Sequence, residues 1–280
     1  MTTPLGFDAL KGIVPRRIDP WPDHRTQGPN TRDSVQDAAL GALGVLFTPS
    51  PPCLESQRHR QQAKGHKNAW TLCGVKTIPW NNPRRNLLAP LMPSQLDGGC
   101  LEVFSGLEHH GWLANVRGCS PQRRVAMDGT QYFSSYAMHG PPCLRRHPTN
   151  GPTLSDHPAM PPVIVSPGCP EVIALPPACI MPQDGHDTQD CARVAGTRWM
   201  DTHAKPVAPD GVTWLGDDLS RNQPLCALAL HHGGHVLLVC KPDSHATLSE
   251  RFAFWQAHDA VKACATRRRG GRCTAVTMSR

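Results

Sequence analysis

The second half of the chain, from about residue 119, alternates short apolar runs with longer segments of helical spacing. Short apolar runs bounded by Pro and Gly are typical of strands, whereas apolar residues three or four apart indicate a helix. The predicted order is strand, hairpin, helix, strand, helix, strand and helix, carried by RVAMD, PPVIVSPGCPEVIAL, TQDCARVAGTRWMDTHA, GVTWLGD, NQPLCALALHH, GHVLLVCK and SHATLSERFAFWQAHDAVKAC. A basic turn, RRRGGR, follows. This order predicts an α/β domain over residues 119–280.

Residues 1–118 show mainly helical patterns separated by proline-rich stretches. The first 33 residues are predicted to be irregular, and the segment PWNNPRRNLLAPLMPS is predicted to be a loop because four prolines interrupt it. Helices are predicted for TRDSVQDAALGALGVLF, with Thr31, Asp33 or Ser34 as the N-cap, and for CLESQRHRQQAKGHKNAWTLCGV and LDGGCLEVFSGLEHHGWLA. We therefore expect a helical N-terminal region ahead of the α/β domain.

The composition indicates a small hydrophobic core for a chain of this length. The chain of 280 residues has 24 Gly and 29 Pro, and aromatic residues make up only 5%. Proline removes a backbone donor and interrupts helices and strands. Much irregular structure is therefore expected around both regions.

The charge balance indicates the class of binding partner, and the cysteines indicate the cellular compartment. Lys and Arg outnumber Asp and Glu by 29 to 22, a net charge of +7 that suits a polyanion such as nucleic acid, although a merely basic surface is an equal alternative. Twelve cysteines occur without a Cys-x-x-Cys pair, which favours reduced thiols in the cytoplasm. The sequence shows no signal segment and no apolar run long enough for a membrane helix.

Two acidic positions follow predicted strands. Asp128 ends RVAMD, and Asp217, followed by Asp218, ends GVTWLGD. In an RNase H-like sheet the first strand lies beside the fourth, so these two positions are expected to meet and to hold a divalent metal through oxygen ligands. A turn-capping role for Asp128 and a helix N-cap role for Asp217 or Asp218 are the structural alternatives.

Several longer motifs resemble the catalytic core of bacterial insertion-sequence transposases of the DDE class. They are AMDGTQYFSS, PVIVSPG, PEVIALPP, IMPQDGHDTQDC, GDDL and VCKPDSHATL, with PDHR, EVFSGLEHHG and KNAWTLCGV upstream. The resemblance implies an RNase H-like fold, Mg²⁺ or Mn²⁺ held by Asp128 and Asp217, and cleavage and joining of DNA at the ends of an insertion element. It also implies a DNA-binding role for the N-terminal region, residues 1–118, and self-association or association with an intact transposase, in the bacterial cytoplasm at the nucleoid.

The sequence also departs from the resembled pattern. The chain stops at Arg280, before the expected glutamate that would be the third metal ligand; Gly140 in HGPPC replaces one cysteine of an expected Cys-x-x-Cys, leaving Cys143; and Ala192 stands where an acid is expected. We therefore expect a truncated, diverged copy with little or no activity and with less than stoichiometric zinc. Glu250 is an alternative third ligand, although a solvent-exposed position on a helix is favoured for it.

Phosphate contacts are expected from the basic C-terminal segment, with Arg123 and Arg124 as a second basic site. The segment contains Arg267, Arg268, Arg269 and Arg272, and a solvated charge run is its alternative interpretation. The cluster of Asp184, His186, Asp187, Asp190 and Cys191 has metal-binding residue types but lacks a complete zinc ligand set. The alternatives to a transposase are a non-catalytic DNA-binding relic that inhibits an intact transposase, an unfolded translation product and an unrelated metal nuclease.

Overall fold

The chain forms a mixed α/β structure in which helices precede a five-stranded sheet and a four-stranded sheet, and a two-stranded ribbon follows them. The computed structural model describes residues 6–26, 28, 31, 33–47, 70–78, 81–116, 122–138, 140, 143–148, 151–182, 188–207, 211–217, 223–239, 241–258, 261–268 and 271–278. Among these residues, no helix combines the length and the apolar character that a bilayer crossing requires. Most of the predicted helix within residues 53–75 lies outside the described ranges.

Within the described residues, the N-terminal part contains four helices of eight residues or more. They are α1 (Phe7–Ile18), α2 (Val35–Phe47), α3 (Asn81–Leu88) and α4 (Asp97–His109), with 3₁₀ turns at Pro93–Leu96 and Trp112–Val116. The predictions of α2 and α4 are confirmed. Ser34 caps α2, because its Oγ accepts a hydrogen bond of 2.9 Å from the backbone N–H of Asp37.

The predictions of irregular structure at α1 and α3 were wrong because proline is tolerated where it occurs. Pro83 is the third residue of α3, where a backbone N–H has no acceptor within the helix. In α1, Ile13 and Ile18 are buried, and this apolar packing holds the helix despite Pro15 in its final turn.

The larger sheet has five strands, which in chain order are β1 (Arg123–Ala126), β5 (Val163–Val165), β6 (Ile173–Ala174), β8 (Val212–Gly216) and β9 (His235–Leu238). Across the sheet they lie in the order β6-β5-β1-β8-β9. β1 pairs antiparallel with β5 and parallel with β8, and β8 pairs parallel with β9. All five strands were predicted from their apolar runs.

Two helices connect the parallel strands, as predicted. α5 (Thr188–Val207) precedes β8, and α6 (Gln223–His231) lies between β8 and β9. The core lies between α5 and the sheet, where Trp199 and Trp214 meet edge to face with ring centroids 5.9 Å apart. The Trp199 indole N–H donates to the Pro176 carbonyl at 2.6 Å, so its polar atom is satisfied inside the core.

A second sheet is built mainly from the segment inserted between β1 and β5, with one further strand that follows β6 in the chain, and the sequence pattern did not predict it. Its strands are β2 (Thr130–Ser135), β3 (Leu144–Arg146), β4 (Leu154–Met160) and β7 (Ala178–Cys179), with β4 bonded to all three others. β2 is exposed along nearly its whole length, so it lacks the alternation that marks a strand in sequence.

The C-terminal region ends in a helix and a hairpin. α7 covers Ala246–Ala257, and β10 (Val261–Arg268) pairs antiparallel with β11 (Gly271–Met278). The predicted continuation of the helix to Cys264 was wrong. A run rich in β-branched residues in β11, Thr274 to Thr277, provides a partner strand for residues 261–268, and strand pairing overrides their helical spacing.

Candidate functional site

The candidate site is built on the two central parallel strands. In β1 and β8 alternate residues are buried, with Val125 fully inaccessible and Trp214 only 3% exposed, and this anchors both strands in the core. Their register runs from Arg123 opposite Val212 to Ala126 opposite Leu215. The backbone N–H of Met127 donates to the Leu215 carbonyl at 3.0 Å, so the pairing continues past the end of β1.

Continuing this register by two residues places Asp128 opposite Asp217. Asp217 directly follows β8 and is partly buried, whereas Asp128 is exposed. Neighbouring strands are about 4.8 Å apart. The strands therefore deliver two carboxylates to the same edge of the sheet, at the carboxyl ends of β1 and β8.

Two carboxylates are suitable ligands for a hard divalent cation, which prefers oxygen donors. Across the part of the chain that the structure describes, no group of three His, Cys, Asp or Glu side chains is placed to hold a metal ion. Glu250 is exposed on α7, and Asp218 lies outside the described residues. Metal binding by Asp128 and Asp217 therefore remains a prediction.

Ala192, which the sequence analysis identified as a position where an acid is expected, lies against the residue that follows Asp128. A Cβ built on Gly129 would come within 3.3 Å of the Ala192 Cβ. Gly129 follows Asp128, so the position where the resembled family carries an acid is next to the carboxylate pair. The signal was present in the sequence as QDC followed by alanine, but only the packing of α5 connects it to Asp128.

The predicted loss of the zinc site concerns Cys143 and its neighbours. Cys143 is buried, and its Sγ lies 3.0 Å from the His157 Nε2. Gly140 supplies no side-chain ligand. Asp184, His186 and Asp187 lie outside the described residues, and Asp190 and Cys191 lie in the first turn of α5. The expectation of little zinc remains a prediction.

The predicted DNA-contacting arginines divide into two groups. Arg123 is buried, forms an ion pair with Glu108 and donates to the Val207 carbonyl, and Arg124 is half-buried and donates to the Ser166 Oγ at 3.1 Å. The prediction that Arg123 contacts DNA was therefore wrong, because its guanidinium group is buried in internal contacts. Contact with DNA by the half-buried Arg124 stays a prediction.

The second group lies on the C-terminal hairpin. The backbone of Arg267 pairs with that of Arg272, and Arg268 pairs with Gly271, at the closed end of the β10–β11 ribbon. Arg269 lies outside the described residues. A two-stranded ribbon of this kind is narrow enough for the major groove of DNA. Phosphate contact by these four arginines remains a prediction.

Comparisons with known proteins give one structural likeness. No protein-family model matches the chain, and no curated protein matches it. A piggyBac transposase, solved by cryo-electron microscopy as a synaptic complex with hairpin DNA, resembles the chain with a TM-score of 0.31 and 11% sequence identity. The alignment covers 83% of this chain and 47% of that one, so the chain spans about half the length of that transposase. A likeness of this strength assigns no function, which has to be argued from the site.

Proposed function

We propose that the chain is a DDE transposase-like protein of bacterial insertion-sequence type that binds DNA and has little or no cleavage activity. The observation that carries the proposal is the parallel register of β1 and β8, which brings Asp128 and Asp217 to the same edge of the sheet. The motifs that resemble the transposase family place its metal ligands at these same two positions. The net charge of +7 suits a DNA partner.

The order and direction of the strands support an RNase H-like assignment of the larger sheet. β1, β5 and β6 are antiparallel neighbours, and the chain then crosses through α5 to add β8 parallel to β1. This is the arrangement that brings the ends of the first and fourth strands of such a fold together. The inserted second sheet is an addition to that arrangement.

A divalent metal at this edge, Mg²⁺ or Mn²⁺, would supply an activated water and charge stabilisation at a phosphodiester. Asp128 and Asp217 would hold it. With no third carboxylate beside them in the described part of the chain, a bound cation would keep more solvent ligands and would be held loosely. A displacement of about 1 Å at a reacting centre can cost about a hundredfold in rate, so little or no cleavage is expected.

Metal binding and DNA cleavage are tested separately. Mn²⁺ titration followed by electron paramagnetic resonance should show weak binding that Asp128→Asn and Asp217→Asn each abolish, while Asp8→Asn, an exposed acid on α1, leaves it unchanged. Supercoiled plasmid with Mg²⁺ or Mn²⁺ should stay intact while the chain retards it in a gel at low salt. Nicking that Asp128→Asn abolishes would show that another acid completes the site and that the chain is active. Failure to bind DNA at low salt would refute the DNA-binding part.

A substitution at Ala192 that increases the affinity for Mn²⁺ would be a further test of the site. A carboxylate introduced by Ala192→Glu would lie beside Gly129 and could join Asp128 and Asp217. We expect tighter Mn²⁺ binding by Ala192→Glu and no gain by Ala192→Gln, which has the same shape without the charge. Equal affinity in both variants would place the carboxylate pair elsewhere than at this edge.

A further inference from the structure

The inserted sheet presents aromatic side chains to solvent. The register between β2 and β4 shifts between Gln131 and Phe133, so two residues of β2 oppose one residue of β4. Tyr132 and Phe133 consequently both lie beside His157, with ring centroids 6.2 and 5.7 Å from the imidazole centroid. Tyr132 is 63% exposed and Phe133 is 38% exposed, so both rings are accessible from outside.

A cationic side chain shares this side of the sheet. Phe133 pairs with His157, and Arg145 pairs with Ser155 two residues earlier on β4. Residues two apart on a strand point to the same side, so Arg145, which is exposed, lies on the side of His157. Tyr132, Phe133, His157 and Arg145 are named the aromatic face.

The acidic side chain of the inserted strands lies on the opposite side of the sheet. Asp156 is the only acidic residue in the sequence between residues 129 and 170, and it pairs with Arg146 on the side away from His157. The side of Arg145 thus has a guanidinium and an imidazole but no carboxylate from the strands. Its charge favours a polyanion over a basic or a neutral apolar partner.

We propose that the aromatic face is a stacking platform for unpaired bases of a DNA strand, a proposal that rests on the DNA-binding function proposed above. Exposed aromatic rings beside a basic group are the combination that single-strand-binding proteins use, because every base has a face that can stack and every linkage carries a phosphate. Tyr132 and Phe133 supply the stacking surface, and Arg145 contacts the backbone. Adjacent residues of a regular strand point to opposite sides, and the bulge allows Tyr132 and Phe133 to lie on the same side of the sheet.

Fluorescence anisotropy on the full chain tests the proposal. The probes are an oligo-thymidine of about 16 nucleotides, long enough for one binding site, and a duplex of equal length. Tyr132→Ala should lower single-strand affinity about tenfold, the size of one lost base stack, and leave duplex affinity unchanged. Tyr132→Leu, which keeps apolar bulk, should lose as much. Phe254→Ala, another exposed aromatic on α7, serves as the matched control and should change neither affinity.

Salt dependence separates stacking from phosphate contact. Arg145→Gln should reduce the slope of log affinity against log salt by about 0.7, whereas Tyr132→Ala should leave that slope unchanged. A 2-aminopurine base within the oligonucleotide should be quenched on binding to the native chain and not to Tyr132→Ala. Circular dichroism of each variant confirms that the fold persists.

Each contrary result identifies what is wrong. Binding of duplex but not of the single strand would overturn the stacking platform and leave the proposed DNA-binding function intact. Binding of neither would overturn both. Unchanged single-strand affinity in Tyr132→Ala and Tyr132→Leu would also overturn the platform. An oligomer of the native chain that dissociates in both variants would identify a second copy as the occupant of the aromatic face and overturn the DNA assignment.

Discussion

The two larger sheets of this protein are held together by different forces. The five-stranded sheet packs against α5 through buried apolar side chains, with Val125 and Ile164 fully inaccessible. The inserted sheet has an exposed strand, β2, whose pairing with β4 is accompanied by a polar network around the buried carboxylate of Asp156. Apolar burial stabilises in proportion to area, whereas a buried polar network depends on every partner being present. The first sheet is therefore a scaffold, and the second is a surface element with specific, breakable contacts.

Loss of apolar packing should have the largest effect. Trp199→Ala removes a ring that is 2% exposed and that contacts both Trp214 and His203, so we expect a loss of about 3–5 kcal/mol in the free energy of unfolding. Urea denaturation followed by circular dichroism measures this. Trp70→Ala, at a position 61% exposed, is the control of the same residue type and should change stability by less than about 1 kcal/mol. Equal losses would mean that the core does not lie under α5.

Backbone crowding beside β9 should have the next largest effect. A Cβ at Gly234 would meet the Trp214 Nε1 at 2.7 Å, the Val212 carbonyl at 2.9 Å and the Ala229 carbonyl at 3.0 Å. Gly234→Ala should therefore destabilise by about 3 kcal/mol, since two of these atoms belong to the backbone and cannot move freely. Thermal unfolding of Gly12→Ala provides the contrast. Gly12 lies in α1 with open space around it, and the change should stabilise by about 0.5–1 kcal/mol.

The polar network of the inserted sheet should be less costly to disrupt. Asp156 forms an ion pair with Arg146 and accepts from Gln131 Nε2 at 2.8 Å. Asp156→Asn removes the charge, and we expect a loss of about 2 kcal/mol, because Arg146 is half-exposed and water replaces part of the contact. Asp201→Asn, an exposed partner of His232, is the control and should change stability by less than about 0.5 kcal/mol.

The same network predicts that the free energy of unfolding depends on pH. Burial opposes ionisation of Asp156, but hydrogen bonds from Arg146 and Ser134 together with the Arg146 charge hold the pKa of its carboxyl below the usual range. A lowered folded pKa means that the stabilisation is complete above about pH 4, the ordinary value for aspartate, and is lost as the pH falls through the folded value. The difference in stability between the native chain and Asp156→Asn should therefore shrink below about pH 4. A constant difference down to pH 2 would contradict the ion pair.

Changes on the exposed side of the inserted sheet should have the smallest effect. Tyr132 is 63% exposed, so Tyr132→Ala should change the free energy of unfolding by no more than about 0.5 kcal/mol. Urea denaturation beside Trp199→Ala makes the comparison direct. A loss above about 2 kcal/mol would show that the aromatic face is part of a core instead of a surface.

The five-stranded sheet could be predicted from the sequence because each of its strands is recognisable from its own residues and their immediate neighbours. Runs such as VIV and VTWL are apolar, β-branched and bounded by Gly or Pro, so each identifies itself as a strand. The inserted strands could not be predicted in this way. β4 contains Asp156 and Pro158, and its stability comes from contacts with Gln131 and Arg146, which are distant in sequence. α1 and α3 were missed because tertiary packing and position within the helix decide whether proline is tolerated.

The candidate site was predictable only to the extent that it depends on strand ends. The sequence placed Asp128 and Asp217 after two apolar runs, and the parallel register then brings their backbones together. The burial of Arg123 under Glu108 and the approach of Ala192 to Gly129 depend on how α4 and α5 pack, which no local pattern encodes. The aromatic face was missed because its rings meet through a bulge, where simple alternation fails.

The way the inserted sheet enters the fold has a consequence for how such a chain can be altered. The insert, residues 127–162, leaves at Ala126 and returns at Val163, and these two residues are direct partners across β1 and β5. Its ends are thus about 5 Å apart, a gap that an ordinary two-residue hairpin turn can close. The insert is in this sense a cassette whose exchange leaves β1 and β5 paired, whereas β7, at residues 178–179 outside it, would lose its partner β4. Asp128 lies within the cassette and Asp217 outside it, so exchange of the whole cassette would replace the aromatic face and one of the two carboxylates together.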